Sequence, residues 1–348
     1  MFQRYMRHVG AVAAAIAVLT VPAVDAQTPG TAATRSAAAP ASQAVAKVPA
    51  SASTYRHPKT PWGDPDLQGI WNNGTTTPLE RPLQLAERES LTPEEVEKLA
   101  QDAFNRDDAP PQAGDVGFYN AEWWDRGKSI GRTSLIIDPP NGRVPPMTPE
   151  GAKIAKERQS RIRFSVTPAG VKINNPEDLS LTERCILFRP LPRLPTGYNN
   201  NYEVVQSPGY VAILQEQMHE VRVIPVDGRP HLKPSLPQWH GSSRGRWEGN
   251  TLVVETVNFS DRTDFRGSGK SLLLVERFTR TDANNIDYRF TVTDPAIWTR
   301  PWTAQIPMTK SDEPIFEYAC HEGNFYSVEN VLGATREAEK KAAEGQGK

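Results

Sequence analysis

The chain has no Cys-x-x-Cys pair, no His-Glu-x-x-His, no phosphate-binding glycine loop and no interior block of like charge. Each absence removes a class. Cys185 and Cys320 are the only cysteines, too few for a cysteine-built zinc module or a disulfide-dense miniprotein. His219-Glu220 and His321-Glu322 lack the second histidine that a zinc-protease helix needs, with Val223 and Phe325 at that offset. Forty basic and 41 acidic side chains leave a formal charge of −1, which points away from a nucleic-acid partner. The longest apolar run, Val9–Val24, falls short of the roughly 20 residues a stable membrane span requires.

That run reads instead as the core of an export signal. Arg4, Arg7 and His8 precede it, and Val24-Asp25-Ala26 supplies small residues for cleavage after Ala26. Periplasmic or secreted localisation is therefore expected. Residues 27–55 are mostly Ala, Ser, Thr, Pro, Gln and Val with no apolar period, and read as a disordered linker. One β-rich domain is expected over 56–336, followed by a charged tail over 337–348. An oxidising compartment predicts a Cys185–Cys320 disulfide.

The first half of the body is proline-rich and irregular, with two helices. Thr92-Pro93-Glu94-Glu95 opens one that should end near Arg106; Thr148-Pro149 opens another over Glu150–Arg161. Short strands are expected at Leu67–Trp71 and Arg132–Asp138. From Asn201 on, strands follow closely: 202–206, 210–216, 220–226, 244–248, 251–259, 272–281, 286–293, 304–308 and 315–320. Turns such as Ser207-Pro208-Gly209 and Glu248-Gly249-Asn250 separate them. The expected fold is mainly β, an antiparallel lipocalin-like barrel or a sandwich, whose interior would hold one small ligand.

Within that frame the polar residues fall into groups. Alternation places Glu255 with Val253 and Val257, and Glu276 with Leu274 and Phe278, so both acids share a face with apolar residues. Such acids need an arginine partner or a raised pKa. Arg222 and Arg244 stand on neighbouring strands. The two readings are structural ion pairs that fix register, and a carboxylate general acid or base. His219, His231, His240 and His321 fall near strand ends, where three would bind a metal only if the fold converged them; hydrogen-bonded histidines are the preferred reading. Trp123, Trp124, Trp239 and Trp298 lie near turns, placed to line a pocket mouth or to fill core. Gly241-Ser242-Ser243-Arg244-Gly245 has the letters of a nucleophile elbow, but strand character follows it where a helix is required.

Several stretches together resemble a family of exported soil-bacterial proteins, a likeness that implies little chemistry. They are Thr60 to Trp71, Thr133 to Gly142, Asp227-Gly228-Arg229-Pro230-His231, Ser243 to Gly249 and Glu317 to Asn324. The resemblance spans Pro61 to Arg336 and implies export rather than a reaction. Ser242 departs from it, since similar sequences often carry Asp there. The strand-rich half also resembles lipocalin-type barrels in pattern.

Three functions follow, in order of expectation. The first is a cofactor-independent lyase or isomerase acting on an aromatic or hydrophobic small molecule. Glu255 or Glu276 would move protons with His219 or His240, and Arg222, Arg244 and the tryptophans would hold the substrate. The second is a non-catalytic periplasmic carrier using the same cavity, and the third a metal-dependent hydrolase. No cofactor is expected, and nothing in the sequence sets an oligomeric state.

Overall fold

Among the residues described by the computed structural model (55–85, 87–107, 124–125, 127–161 and 173–346), ten strands form one antiparallel sheet. These residues fall within the compact unit Ala52–Lys348. The expected signal peptide, nearly all of the expected linker, and Trp123 lie outside them.

In chain order the strands are β1 (Gly69–Asn72), β2 (Ile136–Asp138), β3 (Asn201–Ser207), β4 (Tyr210–Gln215) and β5 (Glu220–Pro225). There follow β6 (Ser242–Glu248), β7 (Thr251–Val257), β8 (Leu273–Arg280), β9 (Asn285–Thr293) and β10 (Trp302–Ser311). Their order across the sheet is β5-β4-β3-β1-β10-β9-β8-β7-β6. Two up-and-down meanders are thus joined through β1, which pairs with β3 on one side and the end of β10 on the other. β2 takes up the start of that same β10 edge. Local turn chemistry produces the meanders. Ser207 pairs directly with Tyr210, and Glu248 with Thr251, so two residues reverse the chain each time. Gly209 and Gly249 adopt positive φ there (+80° and +61°), which glycine tolerates without a Cβ clash.

The mainly β, antiparallel expectation is met, but the sheet is not closed into a barrel. It curls until its outer strands meet, with no hydrogen-bonded ladder between β5 and β6. Close approach depends on Gly245: a Cβ there would lie 2.7 Å from Val226 Cγ1 and 3.1 Å from Ile224 Cγ2. A long connection over 226–241, rather than a tight turn, joins the two strands, and Pro225 offers no N–H at the end of β5.

Inside the curl, alternation holds strand by strand. Leu252, Val254, Leu274, Phe278, Ile286, Phe290, Val204, Ile213 and Ile224 belong to one buried cluster. Trp302 is its aromatic centre, stacked on Phe265 at 6.0 Å and edge-on to Phe290 and Trp298 at 5.8 and 6.1 Å. Aromatic pairs at these separations add to the area they bury.

Helix α1 (Pro93–Asp107) starts as expected: Glu95 N–H donates to Thr92 Oγ1, and Thr92 N–H donates to the Glu95 carboxylate, a reciprocal cap. In α2 (Pro149–Arg161), Thr148 accepts from Gly151 N–H at 2.9 Å. One expectation at the C-terminal end is corrected. Residues 315–320 form no strand: Ile315 to Cys320 alternates like one, yet it joins no ladder and leaves Phe316 exposed. Helix α3 runs Asn324–Gln346, packs Leu332 with Ile173 and Leu179, and carries the charged residues from Glu337 on as an exposed end.

The disulfide is present. Cys185 and Cys320 are joined with Cα atoms 5.9 Å apart, clipping the 180–200 segment to the stretch before α3.

Candidate functional site

The curled sheet encloses a narrow apolar calyx with a cavity volume of about 40 Å³. Leu67, Leu191, Val204, Ile213, Leu252, Phe278, Ile286 and Met308 supply its walls. Phe278 and Tyr288, both in the lining, stack on each other at 4.6 Å with planes 18° apart. Into this lining project Asn73, Arg193, Tyr202, Glu220, Arg222, His240, Glu276 and Tyr288.

Two charge clusters organise those polar groups. The first is Glu276, 1% exposed, facing Arg222 across the curl. Arg222 donates from Nη1 to Oε2 (2.5 Å) and from Nη2 to Oε1 (3.1 Å), and the Tyr288 hydroxyl donates to Oε1 at 2.9 Å. Burial works to lower the Arg222 pKa, but the Glu276 charge and hydrogen bonds outweigh it and leave Arg222 above its ordinary value. Burial drives the Tyr288 phenol well up, and the Glu276 charge reinforces this, so Tyr288 remains a donor. The carboxylate is saturated.

The second cluster is not. Glu220 touches Arg193, lies 3.0 Å from His240 Nε2, and accepts the Phe188 N–H at 2.9 Å. Arg193 is 4% exposed, and its Nε and Nη1 have no acceptor among the described residues. Burial lowers its pKa to about 9, with repulsion from Arg222 contributing; it is still a cation at neutral pH. Beside it, Tyr202 is pushed up to about 12 by burial and accepts from Asn73 Nδ2 at 3.1 Å.

His240 is the titratable group at the centre. Burial first, then the charges of Arg193 and Arg222, lower its pKa to about 3 against the pull of Glu276. The ring is neutral at neutral pH. Glu220 Oε2 lies close to Nε2 without forming a well-directed hydrogen bond, and neither Glu220 Oε2 nor His240 Nδ1 has a hydrogen-bond partner among the described residues.

No family model, curated protein or solved structure matches the chain. The site therefore stands on its geometry.

The residues expected from sequence divide sharply. Glu276, Arg222 and His240 meet in the calyx. Glu255 does not: it keeps the company of Val253 and Val257, but that is the outer face of β7, where it lies 3.3 Å from His231 Nε2. Arg244 pairs with Glu255 in register and donates to the carbonyls of Pro230 and Ser243, also outside. His219 accepts the Tyr318 N–H and anchors the segment next to the disulfide. Trp298 is core, donating to Ser268 Oγ at 3.0 Å. Trp124 tilts against Tyr198 at 6.1 Å, and Trp239 lends its carbonyl to Thr263; neither lines the calyx. Ser243 is buried within β6 against Thr256 Oγ1 at 2.9 Å, with no helix after it. Among the described residues, no three His, Cys, Asp or Glu are grouped to hold a metal, and no helix is long and apolar enough to cross a membrane. Ser242 accepts Leu232 N–H beside His231, away from the calyx.

Glu220, Arg193, Tyr202 and Tyr288 went unread in the sequence. For Glu220 and Tyr288 a signal exists: alternation puts Glu220 on the face of Arg222 and Ile224, and Tyr288 between Ile286 and Phe290. Arg193 sits in the aperiodic run Arg189-Pro190-Leu191-Pro192-Arg193, which carries none.

The depressed His240 pKa has a measurable consequence. An unfolded histidine takes up its proton near pH 6.5, whereas the folded one resists down to about 3. Between these values the unfolded state binds more protons, so stability is full above pH 6.5 and falls as the pH drops. The slope is about 1.4 kcal/mol per pH unit. In urea titrations at pH 6.5 and 4.5, His240→Asn should lose about 2–3 kcal/mol less than wild type over that interval. Parallel losses would show that the ring is solvated enough to titrate normally.

Proposed function

We propose that the chain is an exported protein whose calyx binds a small, largely apolar molecule and acts on it by proton transfer at His240. The observation that carries this reading is a neutral, buried imidazole that lines an apolar cavity and has no hydrogen-bond partner at Nδ1 among the described residues. Buried polar atoms without partners are uncommon in folded proteins and are reasonable where a ligand completes them. The Glu220 carboxylate, 3.0 Å from Nε2, would stabilise the imidazolium that forms when the ring takes a proton. Reaction classes needing one transferable proton and no cofactor, isomerisation and elimination, suit this set. Export is supported by the signal-like start of the sequence and by the Cys185–Cys320 disulfide.

A second reading, a carrier that returns its ligand unchanged, is favoured by one observation. Glu276, the most deeply buried acid of the calyx, is fully occupied by Arg222 and Tyr288, leaving no second free carboxylate to complement His240.

The test is a thermal-shift screen of small aromatic and alicyclic compounds, followed by proton NMR of each hit with the protein in D2O. A ligand at a hundred times its Kd should stabilise by about 2.7 kcal/mol. Conversion or C–H exchange of a hit, lost in His240→Asn while binding persists, is the expected result. Hits recovered without exchange would establish the carrier, and the absence of any hit would overturn both readings.

A further inference from the structure

We infer that the ligand of this calyx carries an anionic oxygen group, a carboxylate or its equivalent, seated against Arg193 with an apolar body lying along Phe278 and Tyr288. The inference rests on the reading of the calyx as a small-molecule site and adds the chemical class of what fills it.

Charge accounting within the cavity leads there. The four charged side chains are Arg193, Arg222, Glu220 and Glu276, with His240 neutral. Arg222 and Glu276 neutralise each other through paired hydrogen bonds, and Tyr288 takes a further lone pair of Glu276. That cluster offers a ligand little. Glu220 divides itself among Arg193, His240 and the Phe188 amide. Arg193 touches one shared carboxylate; neither its three guanidinium nitrogens nor Glu220 Oε2 has a well-formed hydrogen bond among the described residues, and the donors outnumber that one acceptor.

Ligand chemistries differ sharply in how they meet that situation. A cation would sit among two guanidinium groups. A purely apolar molecule would displace any solvent and leave buried donors orphaned, which is costly. A neutral carbonyl would satisfy a donor but leave the charge poorly matched. An anionic oxygen satisfies the free donors with charge-assisted hydrogen bonds, the strongest available here. The fixed position of Arg193 also gives the molecule a direction. Its head lies near His240, within the same polar cluster, and its body meets Leu252, Phe278 and Ile286.

Three matched probes test this without any mutation: 2-naphthoate, 2-naphthamide and 2-naphthylmethylammonium, titrated against the mature protein by calorimetry at pH 7. The expected order places the carboxylate roughly 10–100-fold tighter than the amide, with the ammonium weakest. In Arg193→Met, similar in length and without charge, the carboxylate and amide should bind within about threefold of each other. The circular dichroism spectrum and melting curve of the variant confirm that it has folded. Should the amide or the ammonium match the carboxylate in wild type, the anionic class is wrong while the calyx remains a binding site. A preference that survives in Arg193→Met would equally overturn the role given to Arg193. If none of the three binds, the small-molecule reading fails together with this inference.

Discussion

Replacing Arg222 with Met should destabilise the protein by about 3–5 kcal/mol, and restoring charge balance with a second change at Glu276 should recover much of that loss. The reason is the order in which the energies arise. Removing both ions from water costs several kcal/mol each, and their mutual attraction with the added hydrogen bonds roughly offsets it. Deleting Arg222 alone keeps the cost of burying Glu276, 1% exposed, and removes the compensation from both guanidinium donors. Tyr288 cannot replace them with one hydroxyl. Arg222→Met with Glu276→Leu places two apolar side chains where Ile213, Leu252 and Phe278 already line the wall. Equilibrium urea unfolding of wild type, both single variants and the double variant gives the coupling energy. Singles that each lose little would mean the pair is solvated, and the curled sheet would not depend on it to hold β5 against the β6–β8 side.

That pair also shows how much of the site could be read in advance. Leu272, Leu274, Glu276 and Phe278 alternate without a break, so the face of Glu276 followed from strand geometry alone. Which arginine meets it did not follow: Arg222, Arg244, Arg246, Arg277 and Arg289 all stand on predicted strands, and the curl of the sheet selects Arg222. Glu255 failed for a physical reason: β7 is buried on both sides, with Leu252 and Val254 inside and Val253 outside, all 1% exposed or less. Periodicity says which residues share a face but not which face is inward when both are apolar. The open sheet has a similar origin, since hydrogen bonding between the first and last strands of a curl depends on three-dimensional register that no local pattern encodes. Arg193 reaches the cavity from irregular, proline-rich chain, and residues 315–320 imitate a strand while being held by covalent and side-chain contacts instead. In both cases the controlling interaction is distant in sequence: Arg193 meets Glu220, and Cys320 meets Cys185 across 135 residues.

Removing that disulfide should be the most damaging single covalent change. In the chain-entropy treatment a closed loop of this length restricts the unfolded chain by about 5 kcal/mol, and the restriction vanishes in Cys185→Ser or Cys320→Ser. For a domain of this size that corresponds to a fall in Tm of about 10–20 °C. Locally, the bond is one of few ties holding the stretch before α3. Others include Tyr318 N–H to His219 and Asn324 Nδ2 to the Glu183 carbonyl, the latter at 2.8 Å. A cut bond should therefore expose residues 312–323 to protease under conditions where the sheet remains intact. The same 180–200 segment carries Leu191 and Arg193 into the calyx, so loosening it should weaken ligand capture before it unfolds the sheet. Calorimetric melts with limited proteolysis of both serine variants separate these effects. An unchanged melting temperature would show that the packing of Leu332 on Ile173 and Leu179 suffices to hold this end of the molecule.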